Sequence, residues 1–194
     1  MRRAGVMLAV CGTILPGCAG VGGLYGLGGG GGGGTDDTPL PAGLRALDPI
    51  DFANDVPRGE DPATAMLGDG SVEFRGGTAG TIGIPALYFD DAFAWALTAD
   101  GTSTITFTNL DVRLVRLYFA HTGAVSAAMT AEDETGMVLA TVQSVAADRL
   151  GDPDAFLEID GEGASIARLA FTVPAGAGVA VDHLVLAVPE AIAP

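Results

Sequence analysis

Thr102-Ser103-Thr104-Ile105-Thr106-Phe107-Thr108 alternates side chains with a period of two. Ile105 and Phe107 share one face and Thr104 and Thr106 the other, the pattern of a half-buried antiparallel strand. The stretch that follows, Asp111 to Phe119, is apolar on both faces apart from Arg113 and Arg116, so it predicts a central strand. Outward from this pair, the same short β pattern recurs. Candidate strands are 49–53, 71–75, 86–90, 103–108, 111–121, 125–130, 137–145, 155–159, 165–173 and 179–188. Asp69-Gly70, Asp100-Gly101, Thr122-Gly123, Asp160-Gly161 and Pro174-Ala175-Gly176 punctuate them as turns. One short helix is expected over Ala63 to Leu67, with Asp61 as N-cap and Pro62 as its first residue. No long stretch has a helical period. Short strands at this spacing predict an all-β fold, an antiparallel β-sandwich of the jelly-roll kind, over residues 44–190.

Composition agrees with a self-sufficient domain. The apolar fraction is 48% but only 6% is aromatic, so the core must rest on small and β-branched side chains. A domain of about 145 residues buries roughly 70% of its unfolded surface and folds without staples. Arg2 and Arg3 precede every acid, so seven arginines stand against 24 acids in the rest of the chain, with no lysine. Such a surface excludes nucleic acid as a partner, because phosphate binding rests on clustered Lys and Arg. It also excludes docking of the domain face on anionic lipid.

The first 43 residues read as an address and a tether. Arg2 and Arg3 open a charged region, and Val6 to Leu15 form an apolar run too short to cross about 30 Å of hydrocarbon. Leu15-Pro16-Gly17-Cys18 follows, and the segment resembles bacterial lipoprotein signal peptides, whose motif is Leu, two small residues and Cys. Leu15, Gly17 and Cys18 match, and Pro16 departs from the usual small residue. The resemblance implies a signal peptide over 1–17, a diacylglyceryl group on the Cys18 thiol, and cleavage before Cys18. It implies an extracytoplasmic lipoprotein of the bacterial cell envelope, attached to the membrane through its N-terminal lipid. Each buried CH₂ contributes about 0.8 kcal/mol, so two or three chains anchor stably. Residues 18–43 form the linker, with glycine at every position from Gly28 to Gly34, and 191–194 form a short tail. The polyglycine run lacks the strand and the Gly-Lys-Ser/Thr of a nucleotide loop. Cys11 and Cys18 are the only cysteines, so a mature chain beginning at Cys18 has no disulfide and no cysteine metal site.

The domain also resembles the extracytoplasmic jelly-roll domains of bacterial surface proteins, including those that carry sorting signals. Ile50-Asp51-Phe52, the hairpin Asp133-Glu134-Thr135-Gly136 and Val181-Asp182-His183-Leu184-Val185 carry that resemblance. It implies that the first and last strands meet, with Asp51 and Asp182 as candidate ligands of a structural Ca²⁺, an ion suited by hard oxygen donors.

Catalytic patterns are not built. His121 and His183 have no metal-ligand spacing, and no serine sits in a G-x-S-x-G elbow. Asp152, Asp154, Glu158, Asp160 and Glu162 form an acidic stretch, the last three on one face if extended, but without the loop of an EF-hand. Trp95, Tyr88 and Tyr118 are the aromatics that a sugar platform would draw on. The expectation is therefore a non-enzymatic, lipid-anchored module that binds a ligand, a glycan or a surface protein. A structural envelope protein without a specific ligand is the alternative, and a glycan-active enzyme ranks below both.

Overall fold

The computed structural model describes residues 39–68, 70–81, 93–146 and 156–191. Cys18, the expected site of lipidation, the expected signal and the glycine tract lie outside the described residues, as do Asp69, the candidate strand 86–90 with Tyr88, and Asp152 and Asp154.

Thirteen strands follow in order: β1 (Leu44–Ala46), β2 (Ala63–Leu67), β3 (Gly70–Arg75), β4 (Gly77–Thr81), β5 (Phe93–Leu97), β6 (Gly101–Thr108), β7 (Leu114–Thr122), β8 (Ala128–Glu132), β9 (Val138–Gln143), β10 (Val145–Ala146), β11 (Phe156–Asp160), β12 (Arg168–Val173) and β13 (Gly178–Pro189). A seven-stranded sheet runs β10-β7-β13-β5-β4, with β11 also beside β7 and β1 beside β13. A six-stranded sheet runs β2-β3-β6-β12-β8-β9. All pairings are antiparallel except the two-residue match of β10 with β7. Beside the consecutive pairs β2–β3, β4–β5 and β8–β9, the other neighbours come from distant parts of the chain, and the fold is the antiparallel jelly-roll β-sandwich that the sequence predicts.

The inner faces meet through a relay of rings. Phe52 packs on Phe74 at 5.3 Å, Phe74 on Trp95 at 5.4 Å, Trp95 on Phe171 at 5.8 Å, and Phe171 on Phe119 at 5.3 Å, each edge to face. Each such pair contributes about 0.5–1.5 kcal/mol beyond its buried area. Trp95 and Phe119 belong to the seven-stranded sheet, Phe74 and Phe171 to the six-stranded one, so the relay stitches the layers together. Gly77 makes room for it: a Cβ there would lie 2.6 Å from Trp95 Nε1.

Several boundaries differ from the sequence reading. Ala63 to Leu67 is strand β2, not a helix, because Ala63 and Ala65 are buried while Thr64 and Met66 face solvent, a period of two. Asp61 caps no helix; it accepts the N–H of Gly76 at 2.9 Å and ties the start of β2 to the β3–β4 turn. The opening strand 49–53 shrinks to one bridge, Ile50 with Leu184, since residues 51–54 turn back on themselves. The stretch 137–145 divides at Ser144, where the chain leaves the six-stranded sheet as β9 and joins the seven-stranded one as β10. Strands β1, β4 and β5 went unread.

Candidate functional site

Paired residues across neighbouring strands point to the same side of a sheet, so the register defines the outward face of the six-stranded sheet. One row runs Thr64, Glu73, Thr106, Arg168, Glu132. The next runs Arg75, Thr104, Ala170, Thr130, Thr141. Thr102 and Thr172 pair in a third. Every outward position of β6 from Thr102 to Thr108 is threonine, and all of these residues are exposed or half-buried. Threonine suits the place because it is both polar and β-branched. The charges on this face cancel in pairs: Arg75 lies 3.2 Å from Glu73, and Arg168 Nε donates to Glu132 at 3.0 Å. Thr130 and Thr141 bring their hydroxyls to 3.5 Å. Exposed apolar side chains on this sheet sit at its margins, Met66 on β2 and Val138 on β9.

The outward face of the seven-stranded sheet is closed over β7 and much of β13, while Thr78 on β4 and Glu158 and Asp160 on β11 stay exposed at its sides. Leu114, Arg116, Tyr118 and Ala120 alternate with the core residues Val115, Leu117 and Phe119, yet they too are buried, and so are Ala180 and Ala187 on β13. Arg116 donates to Glu158 at 2.7 Å and to the Pro39 carbonyl at 3.3 Å, so the residues ahead of β1 reach this face. A β-bulge interrupts β13 between Asp182 and Val185. His183 takes a left-handed φ of 49°, and its N–H donates to Asp182 Oδ1 at 2.8 Å. The Phe156 ring lies 5.4 Å from Tyr118 and 6.2 Å from the His183 imidazole.

Asp51 and Asp182, the residues expected at a Ca²⁺ site, each serve the local backbone. Asp51 accepts the Ala53 N–H at 2.7 Å and bonds the Asn54 side-chain amide, closing its own turn, while Asp182 closes the bulge. The Ile50–Leu184 bridge does bring their two segments together. Among the described residues, no group of three or more His, Cys, Asp or Glu is placed to hold a metal. The acids Glu158, Asp160 and Glu162 do not share one face as expected, because β11 ends at Asp160, and Glu162 sits in a turn at φ 53° with its N–H on the Asp160 carboxylate. Trp95 is wholly buried and Tyr118 nearly so, so neither serves as an open sugar platform.

Sequence reasoning missed the junction at Ser144. Its buried hydroxyl accepts the Ala127 N–H at 2.8 Å and lies 2.8 Å from His121 Nδ1. Only the crossover between sheets brings these residues together. Among the described residues, two carboxyls are held below the usual range. The Arg113 guanidinium, by hydrogen bonding, lowers Asp111. The Thr135 hydroxyl and then the Met137 N–H lower Asp133, which organises the β8–β9 turn.

No protein-family model matches the chain, and no curated protein matches it significantly. Among solved structures, a mutant of CBM29-2, a family 29 carbohydrate-binding module, is similar at 12% identity over 78% of this chain and 98% of its own, with a TM-score of 0.41. TmCBM61 in complex with β-1,4-galactotriose is similar at 14% identity over 62% of this chain and 84% of its own, with a TM-score of 0.28.

Proposed function

We propose that the chain is a non-catalytic contact module, anchored to a bacterial cell envelope by lipid on Cys18, that meets its ligand with the outward face of the six-stranded sheet. The observation that carries this reading is the contrast between the faces: one closed over its central strands, the other open, threonine-lined and charge-cancelled. Supporting the non-catalytic reading, the Ser144–His121 contact lies in the interior and its hydroxyl is taken by a backbone N–H. Supporting the anchor, Leu15, Gly17 and Cys18 follow a charged and apolar leader.

The test is binding of cells or envelope fragments to the purified full-length protein, with and without Thr104→Glu and Thr106→Glu together. Loss of binding in the variant, with an unchanged circular dichroism spectrum, is expected. Equal binding by both proteins removes this face from the reading. For the anchor, Cys18→Ser shifts the protein out of the membrane fraction or leaves unprocessed precursor; an unmodified Cys18 in the mature wild-type chain contradicts it. A structural Ca²⁺ at Asp51 and Asp182 is a separate proposal, motivated by the bridge between their segments. It requires a rise in melting temperature with Ca²⁺ that Na⁺ at equal ionic strength does not give and that Asp182→Ala removes.

A further inference from the structure

We infer that the open face of the six-stranded sheet takes an extended, uncharged polysaccharide, an inference that rests on the contact-module reading above.

Charge is the first argument. The chain carries a net charge of −15, yet on this face Arg75 is matched by Glu73 and Arg168 by Glu132. An anionic polymer would meet an acidic molecule with no excess cation on the face to receive it. A cationic one would gain more from the acids elsewhere than from a face that is already neutral. An uncharged ligand alone suits this face better than the rest of the surface.

Side-chain chemistry is the second. Protein–protein interfaces concentrate their affinity in central Trp, Tyr, Arg or Met anchors. The centre of this face is Thr104, Thr106, Ala170 and Thr130 beside Arg168, whose guanidinium is already taken by Glu132, with Met66 and Val138 displaced to opposite edges. Each threonine presents a hydroxyl that both donates and accepts, next to a methyl. Its χ1 is stiff, so little rotamer freedom is lost on binding. A sugar chain offers the complement, hydroxyls alternating with C–H faces.

Repetition is the third. Along β6 the hydroxyls recur about every 6.8 Å, and across the sheet Thr102 pairs with Thr172 and Thr130 with Thr141, about 4.8 Å apart strand to strand. The outward rows contain no aromatic ring on which one sugar could stack. Each contact is weak, and affinity accrues only to a ligand that repeats and engages several rows at once. The polymer is therefore expected to bind and its mono- and disaccharides not to.

Affinity electrophoresis of the detergent-solubilised full chain tests this, in gels cast with neutral α- and β-linked glucans, galactan and mannan, each at low and high salt, with alginate and heparin as anionic comparators. Retardation by at least one neutral polymer, unchanged by salt, is expected. Thr104→Glu with Thr106→Glu should weaken it about tenfold or more, while Ala175→Glu, in the exposed turn before β13, leaves it intact. Retardation by the anionic polymers alone, or retardation that salt abolishes, overturns the inference. So does equal retardation of the threonine variant. If no polymer retards the protein but the threonine variant still loses binding to cells, the ligand is a protein: the polysaccharide inference falls and the contact-module reading stands. If cell binding is also unchanged, both fall.

Discussion

Arg116 and Arg168 stand near the middle of opposite outward faces, and each is bonded to a glutamate on the next strand. Their side chains differ in exposure, 4% against 46%. Arg116 belongs to the closed face and its charge is cut off from water, so its carboxylate partner is indispensable. Arg168 belongs to the open face, where water reaches its guanidinium although Glu132 is only 14% exposed, so Arg168 can do without its partner. The same pairing of residues therefore holds the fold on one sheet and only neutralises a surface on the other. A face kept open needs its charges cancelled without being buried.

The largest expected effect comes from stranding the buried guanidinium. Glu158→Ala should lower unfolding free energy by about 3 kcal/mol in urea titration, since breaking a buried pair from one side typically costs about 3–5 kcal/mol and Glu158 is itself half exposed. A loss below about 0.5 kcal/mol, the size of a surface pair, would erase the distinction between the faces. Next comes the junction where the chain passes from the open sheet to the closed one. Ser144→Ala leaves the Ala127 N–H buried without its acceptor and should cost about 2 kcal/mol by the same titration. Third, Glu132→Ala should change stability by about 0.5 kcal/mol or less, and that change should shrink further with added salt. The smallest effect is acid sensitivity. Asp111, lowered by its bond to Arg113, stabilises the fold above its unfolded pKa of about 4, and that contribution disappears as pH falls through its lower folded value. Asp111→Asn should therefore lower the melting temperature slightly at neutral pH and flatten the acid limb below about pH 4, so that variant and wild type converge in acid; a difference that persists unchanged into acid would contradict the assignment.

What could be read ahead of the structure followed from exposure. β6 was legible because one of its faces is wet and the other dry, which writes Ile105 and Phe107 against Thr104 and Thr106. β5, Phe93-Ala-Trp-Ala-Leu, is nearly dry on both faces because the seven-stranded sheet is closed outside, and so it showed no alternation. β4 has glycine at two of its positions, Gly77 and Gly80, and reads as a turn until Trp95 is placed against it. Asp61-Pro62 carries a helix-start signature, and the period-two Ala-Thr-Ala-Met behind it is the signal that prevails. The candidate face was half legible. Each strand declared which residues point outward, but the row from Thr64 to Glu132 depends on register among strands drawn from five separate stretches, and no local pattern encodes that. Trp95 was noted for chemistry and turns out to serve packing, a distinction that only burial makes, and the bulge at which Asp182 accepts the His183 N–H has no local sequence signal.

The pairing of β1 with β13 has a mechanical consequence. Leu44 lies opposite Pro189, and the ladder continues outward to the bond from the Glu190 N–H to the Gly43 carbonyl. A pull on the chain ahead of Gly43, away from the sandwich, reaches this ladder at its outermost rung. The load then falls on one hydrogen bond at a time, as in a zipper, rather than on all of them together, as in a lap joint. β1 spans only three residues, so it can peel away while the ring relay from Phe52 to Phe119 stays clamped. A domain pulled from this end would first give up the Arg116 bond to the Pro39 carbonyl and then β1, lengthening before its core is strained.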